Sequence, residues 1–377
     1  LELVCLNARV SGPESPELSV VGGGYRVPAG AVRILRLDTG DRLPALAPLA
    51  VRVYAAAGDG EGVWVGAGLR AVAPFFHLGT WSSGLPNEPA GQVFARKLGL
   101  SVCTPSNAWA QRNALAEDFH IGVLAIENTT EGTGRKHPDL EKVRARRDNP
   151  HLVAWMVRDE PELHQKPSTL MLEHNDQYWD NDSNHPTLLN LMTTAGYNEY
   201  GHIADIACMD HYVMFAPNCI PLTGIFRTAR MEEAVLYTTY LKENTEPLRM
   251  WTWAQLAAPP FGRQPPAWGI DYQFWAHVMG GAKGVLWFKY GPGYETDDAY
   301  RTRVAEAVRL TRQLDAVREL CFYGEPLDNL GSTSGDVLGR TLVGPEAVVV
   351  IALNNNYATR GLPFRPTYAL EPVETTL

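Results

Sequence analysis

Short apolar runs recur along the chain, and what separates them changes twice. Residues 1–74 carry Gly- and Pro-punctuated β-type runs, Val32 to Leu37, Leu49 to Ala55 and Val63 to Ala67, the pattern of a small antiparallel unit. From Phe75 onward the runs alternate with longer amphipathic or polar stretches, which is the texture of β/α units. Phe75 to Thr80, Ser101 to Ser106, Ile121 to Glu127, Leu152 to Glu160, Thr187 to Met192, Ile206 to Tyr212, Arg249 to Leu256 and Gly284 to Tyr290 give eight expected parallel strands. Between them, Met231, Val235 and Leu241 share one helical face, as do Val304, Val308, Thr311, Leu314 and Val317 ahead of Cys321, so both segments read as amphipathic covers. Eight such units over residues 75–323 match the roughly 250 residues of a (β/α)8 barrel. Beyond it, Leu338 to Val343 and Ala347 to Leu353 return to β-type alternation around a hairpin turn at Gly344-Pro345-Glu346. The expected architecture is α/β: a (β/α)8 TIM barrel over 75–323, with a small sandwich-like β domain in which residues 324–377 pack with the strands of residues 1–74.

Composition narrows the class. The 33 Lys+Arg against 42 Asp+Glu leave a net charge of −9, and with no Lys/Arg block the chain has little to offer a phosphate backbone, so nucleic acid is excluded as a general partner. A 45% hydrophobic chain of 377 residues buries a large core and excludes disorder. Apolar runs such as Leu152 to Val157 fall far short of the roughly 20 residues of a membrane span. The chain starts at Leu1 in an apolar stretch without a charged leader, so loss of a natural leader and a secreted, periplasmic or cell-surface location are expected. Cys103 and Cys208 sit in apolar runs and read as small buried hydrophobes. With neither His-Glu-x-x-His nor Cys-x-x-Cys spacing, no metal or other cofactor is expected. Asp180 to Asn184 imitates the start of a calcium loop but has His185 where the turn needs Gly, and reads as a solvated loop. Gly66 to Ala71 has the letters of a dinucleotide fingerprint without a helix behind it, and reads as a hairpin turn.

In a barrel of this kind the chemistry lies at the C-terminal ends of the strands. In chain order these ends hold His77 and Trp81, Asn107 and Trp109, Glu127 and Asn128, Asp159 and Glu160, Asn190, Asp210 with His211 and Tyr212, Trp253 and Gln255, and Trp287, Lys289 and Tyr290. Carboxylates at several ends, with no Ser or Cys in a nucleophile elbow, point to acid/base chemistry rather than acyl transfer. Aromatic faces beside Asn, Gln and His donors suit a sugar, which presents C–H faces and hydroxyl edges. The 10 Trp, 15 Tyr and 11 Phe are thereby expected to divide into core rings and a smaller rim set, Trp81, Trp109 and Trp253 foremost, that stacks on carbohydrate.

The segment Trp155-Met156-Val157-Arg158-Asp159-Glu160-Pro161 resembles the (β/α)8 glycoside hydrolase superfamily, in which strand four commonly ends in Asn/Asp-Glu-Pro. Asp210-His211-Tyr212 is similar to the Asp-x-Tyr strand-six end of some members, and Gly281-Ala282-Lys283-Gly284 leads into Trp287 in a similar way. The resemblance implies a glycosidase in which Glu160 is the general acid. It also marks a departure: retaining members place a nucleophilic Glu at the end of strand seven, where this chain has Gln255. Three readings stay open. In an inverting enzyme Asp210, or Glu127 in reserve, activates water about 6.5–9.5 Å from Glu160. In a substrate-assisted enzyme similar to the N-acetylhexosaminidases, Asp159 orients a 2-acetamido group while Glu160 is the acid. In a non-catalytic barrel the carboxylates only bind sugar hydroxyls.

Overall fold

The computed structural model describes residues 2–5, 25–26, 48–56, 63–70, 75–82, 98–104, 121–126, 128–130, 136–212, 231–246, 248–257, 265–290, 298–330, 335–344, 347–360 and 367–374. The chain divides into two compact units, Leu1–Ala73 and Pro74–Leu377. In the first, β1 (Glu2–Cys5), β2 (Tyr25–Arg26), β3 (Pro48–Ala56) and β4 (Val63–Arg70) form an antiparallel sheet in the order β2-β1-β3-β4. Gly66, Ala67 and Gly68 pair with Arg52, Val51 and Ala50 inside this sheet, so the expected hairpin turn there is corrected to the interior of a strand. The run Val32 to Leu37 lies outside the described residues.

The second unit is built on a closed barrel of eight parallel strands. They are β5 (His77–Ser82), β6 (Val102–Cys103), β7 (Gly122–Ala125), β10 (Leu152–Asp159), β11 (Thr187–Leu191), β12 (Ile206–Met209), β13 (Arg249–Gln255) and β14 (Gly284–Tyr290). Each falls on one of the eight expected runs. A small hairpin of β8 (Asn128–Thr130) and β9 (Lys136–Pro138) is inserted after the third barrel strand. Around the barrel run α1 (Leu140–Arg146), α2 (Ser168–Asn181), α3 (Thr194–Tyr200), α4 (Glu233–Thr245), α5 (Ala267–Met279) and α6 (Asp298–Tyr323). No helix among the described residues is long and apolar enough to cross a membrane.

Strand alternation sorts the side chains into an inner and an outer core. Val102, Leu124, Ala154, Met156, Leu188, Ile206, Cys208, Trp251, Trp253 and Leu286 fill the lumen. Packing there is tight enough that a Cβ on Gly79 would fall 2.2 Å from Leu286 Cδ2. The alternate residues, among them Val157, Leu189, Met209, Met250 and Val285, face the helices. On α6 the buried positions Val304, Ala307, Leu310, Thr311 and Leu314 recur at helical spacing, and on α4 Ala234, Val235, Thr238 and Leu241 do so. At the far end of the barrel, His77 opens β5 and packs its ring 4.9 Å from Trp251, with Nδ1 3.2 Å from Ser101 Oγ. Its expected place at the C-terminal rim is corrected accordingly.

The C-terminal strands β15 (Glu325–Leu330), β16 (Val337–Val343) and β17 (Val348–Asn354) form an antiparallel sheet of their own. The Gly344 N–H donates to the Ala347 carbonyl at 2.9 Å where the hairpin turn was expected. Leu342, Ile351 and Leu353 share one core with Phe274 and Val278 of α5 and Leu310 and Leu314 of α6, and Arg340 donates to Thr239 Oγ1 and the Met279 carbonyl. One face of this sheet is therefore buried on barrel helices. A two-stranded pair, β18 (Tyr357–Arg360) and β19 (Thr367–Leu370), follows.

The calcium-like segment runs from the end of α2 into a largely exposed bend with one buried anchor. Asp182, 1% exposed, accepts from the Trp155 indole N–H at 2.7 Å, from the Asn184 N–H at 2.8 Å and from His185, which ties the end of α2 to the back of β10. Trp155 itself stacks on Tyr178 and is a core residue.

Candidate active site

Period-two alternation decides which strand-end residues reach the lumen. On β12, Ile206 and Cys208 face inward, so Asp210 and Tyr212 continue that face while His211 joins Ala207 and Met209 on the outer side. On β13, Trp251 and Trp253 face inward and Gln255 follows them, whereas Ala254 and Leu256 face the helices. On β10 a bulge between Met156 and Arg158 resets the phase, and Asp159 comes opposite Asn190.

Three carboxyl groups converge at this mouth. Asn190 donates through Nδ2 to Asp159 Oδ1 at 2.9 Å. Asp210 and Glu160 are in direct side-chain hydrogen-bonding contact, which requires one of the two to carry a proton. Burial lifts Asp210 well above the usual carboxylate range, and the charges of Glu160 and Asp159 lift it further, which favours the proton on Asp210. Burial also raises Glu160, aided by Asp159 and Glu162 and opposed by the bond from Asp210. Asp159 is raised by burial against the pull of Asn190. Tyr212, beside them and tilted on Phe288 at 5.4 Å, has its phenol pushed well up by burial and by the same carboxylates.

Glu160 is also a backbone outlier. Its φ of +44° lies in the left-handed region, as does the +49° of Gln165, and for non-glycine residues such a conformation costs on the order of 1–3 kcal/mol. Its N–H donates to the Asn190 carbonyl at 3.0 Å, which pins the turn to the neighbouring strand. Strain held at one residue of a convergent cluster is a mark of a functional position.

The expected site residues divide as follows. Asp159, Glu160, Asp210, Tyr212 and Gln255 are brought together at the mouth, with half-buried Trp81 on its lip, edge-on to Trp253 at 5.6 Å. The Gln255 amide is fully buried with neither atom hydrogen-bonded among the described residues, while its backbone N–H donates to Gln273 Oε1. Trp253 is corrected from a stacking surface to a lumen-filling ring, because at 2% exposure it lies beneath Trp81. Trp287 is corrected to the helix side, where it packs on Phe274. His211 is corrected likewise: Nδ1 lies 3.0 Å from the Met192 carbonyl, the ring packs on Tyr237 of α4, and burial holds its pKa down. Asp210, the expected second carboxylate, lies at the mouth beside Glu160. Glu127, Asn107 and Trp109 lie outside the described residues, as do the side chains of Lys289 and Tyr290 at the end of β14.

Sequence reasoning passed over Asn190's role in holding Asp159, and it missed Glu162. The Glu162 carboxylate accepts from the backbone N–H groups of Met192 and Thr193, residues that only the closed barrel brings near it.

No protein-family model and no curated protein matches this sequence. Among solved structures, the chain is similar to a β-galactosidase from the psychrophilic Marinomonas ef1, at 10% identity and a TM-score of 0.47 over 64% of this chain and 60% of that one. It is similar to an uncultured Clostridium sp. β-glucuronidase at 12% identity and a TM-score of 0.44, covering 83% and 63%. A β-galactosidase from Rahnella sp. R3 follows at 11% identity and a TM-score of 0.48, covering 67% and 57%. The chain spans about 60% of the length of these structures.

Proposed function

We propose that the protein is a glycoside hydrolase that cleaves a poly- or oligosaccharide, with Glu160 as the general acid. The observation that carries this reading is the convergence of Asp159, Glu160 and Asp210 at the C-terminal mouth of the barrel, with Glu160 held in a strained conformation. Burial raises the Glu160 carboxyl, which favours the protonated form a general acid needs. As the glycosidic C–O bond breaks, the Glu160 proton passes to the leaving oxygen and Glu160 becomes a carboxylate. The Asp210 O–H then donates to an anion instead of a neutral acid, so their bond strengthens along the reaction, which is differential stabilisation of the transition state. Asp159 offers negative charge to the cationic sugar carbon. Glu160 then takes a proton from the water that completes hydrolysis.

A second reading is favoured by two specific features: Gln255 places an amide where a strand-seven nucleophile would stand, and Asp159 is fixed by Asn190 directly beside the acid. Here the substrate's own 2-acetamido oxygen attacks the sugar carbon and Asp159 orients that group. A panel of aryl glycosides and polysaccharides scored for released phenol or reducing ends tests both. Turnover confined to 2-acetamido sugars selects the assisted route, turnover of 2-hydroxy sugars overturns it, and sugar binding with no release from any member would reduce the protein to a carbohydrate-binding barrel.

Trp81, half-buried on the lip, supplies the apolar face for a sugar ring. Trp81→Ala should raise KM roughly tenfold, about 1.4 kcal/mol, with kcat little changed, because the lost contact is made equally in ground and transition states. Steady-state kinetics on the best substrate check this.

A further inference from the structure

We infer that Glu162 is a positioning residue that holds Glu160 in its working conformation, an inference that rests on the reading of Glu160 as the acid. The chain leaves β10 through a turn whose two left-handed residues, Glu160 and Gln165, are neither Gly nor Asn. Within the turn, the Gln165 N–H donates to the Glu162 carbonyl at 3.1 Å and the Lys166 N–H to the Pro161 carbonyl at 2.9 Å. These bonds close the turn on itself, and the Glu160 N–H bond to the Asn190 carbonyl anchors its first residue, which leaves the stretch beyond Glu160 to be held.

That hold comes from the next β/α connection. Glu162 Oε1 accepts from the N–H of Met192 and, at 2.8 Å, from that of Thr193, the two amides where β11 gives way to α3. One carboxylate oxygen thus staples the turn after the fourth barrel strand to the turn after the fifth. Gly196 in α3 makes room for it: a Cβ there would fall 2.9 Å from Glu162 Cγ. On the far side of the turn the Tyr200 O–H donates to the Lys166 carbonyl at 2.6 Å. Glu162 Oε2 is buried and unpaired among the described residues, so the side chain satisfies no other group and its contacts all serve the turn. Burial raises its carboxyl, against the pull of the Thr193 and Met192 amides. Charge-assisted bonds in such surroundings are strong and directional, which is what a strained neighbour requires. Loss of the staple lets Glu160 relax toward ordinary φ, and a displacement of about 1 Å in a catalytic group costs up to a hundredfold in rate.

The test compares Glu162→Ala, Glu162→Gln and Gly196→Ala with wild type and with Glu160→Gln. Glu162→Ala is expected to lower kcat about thirtyfold with KM within about twofold, since substrate contacts are untouched. Glu162→Gln keeps an acceptor oxygen for both amides and should stay within about fivefold of wild type. Gly196→Ala, which crowds Glu162 without removing it, should lower kcat severalfold and serves if the first variant does not fold. Hydrogen exchange of the segment 190–196 should quicken in Glu162→Ala and stay slow in Glu162→Gln, independently of catalysis. An active Glu162→Ala beside an inactive Glu160→Gln overturns the positioning role alone, and so does a Glu162→Gln as damaged as the Ala variant. A fully active Glu160→Gln overturns the assignment of the acid, and the exchange data then still decide whether Glu162 holds the turn.

Discussion

Glu160→Gln is expected to lower kcat about a thousandfold while leaving substrate affinity within a few-fold of wild type. The substitution is nearly isosteric, and its amide oxygen still accepts the bond that Asp210 donates to the native side chain. The backbone N–H bond to Asn190 is indifferent to the side chain, so the left-handed turn persists. What disappears is the transferable proton, and general acid catalysis is worth roughly 10²–10⁴ in rate. A loss in kcat without a matching change in binding identifies an interaction made only in the transition state. Calorimetric titration of substrate into the inactive variant measures the binding half of the expectation, and single-turnover kinetics the other.

Asp210→Asn is expected to move stability and activity in opposite directions. The folded-state pKa of Asp210 lies well above the value of about 3.9 that an unfolded chain gives it, chiefly through burial. For a carboxyl raised on folding, stability is fully present below the unfolded pKa and falls as pH rises toward the folded pKa. An Asn side chain imitates the neutral acid, keeps an N–H for Glu160, and carries no charge at any pH. The variant should therefore melt a few degrees above wild type at pH 8, at about 1–2 °C per kcal/mol for a chain of this size, and the gap should close as pH drops below about 4. Activity should suffer in return. An amide N–H is a weaker donor than a carboxylic O–H, so the bond that strengthens as Glu160 becomes an anion is worth less, and kcat at neutral pH should fall severalfold. A melting gap that widens toward acid pH would contradict the protonation assigned to this pair. Stability gained by removing a strained functional group is the usual trade at such sites.

The barrel was legible because its signal is redundant. Each strand is a short apolar run, and eight of them in series admit one closed arrangement, so even β6, reduced to Val102–Cys103, was placed correctly. The strand ends were less legible, and the physical reason is the two-residue repeat. Counting inward-facing positions from Cys208 gives Asp210 and Tyr212, and counting from Leu286 skips Trp287, so His211 and Trp287 face the helices although they neighbour site residues in sequence. The bulge after Met156 breaks that count on β10, and there only the pairing with β11 fixes Asp159 opposite Asn190. Trp253 had the correct face but the wrong depth, which depends on Trp81 from another strand. Glu162 carried no local signal at all. Its partners Met192 and Thr193 lie about thirty positions away, and the left-handed turn it supports contains none of the residue types that announce one. The C-terminal hairpin is legible from its alternation, whereas the core it shares with α5 and α6 is a tertiary feature with no local signal.

The central claim is that Glu160 protonates a departing sugar oxygen, and the leaving-group dependence of hydrolysis tests it most directly. Aryl glycosides of the accepted sugar, graded from dinitrophenyl to alkyl leaving groups, are to be compared in wild type and Glu160→Gln. An acidic phenol departs without a proton, whereas a poor leaving group requires one. The expected result is a loss of less than tenfold on the dinitrophenyl glycoside and about a thousandfold on the alkyl glycoside. An equal loss across the series, or none, would contradict the assignment of Glu160 as the acid.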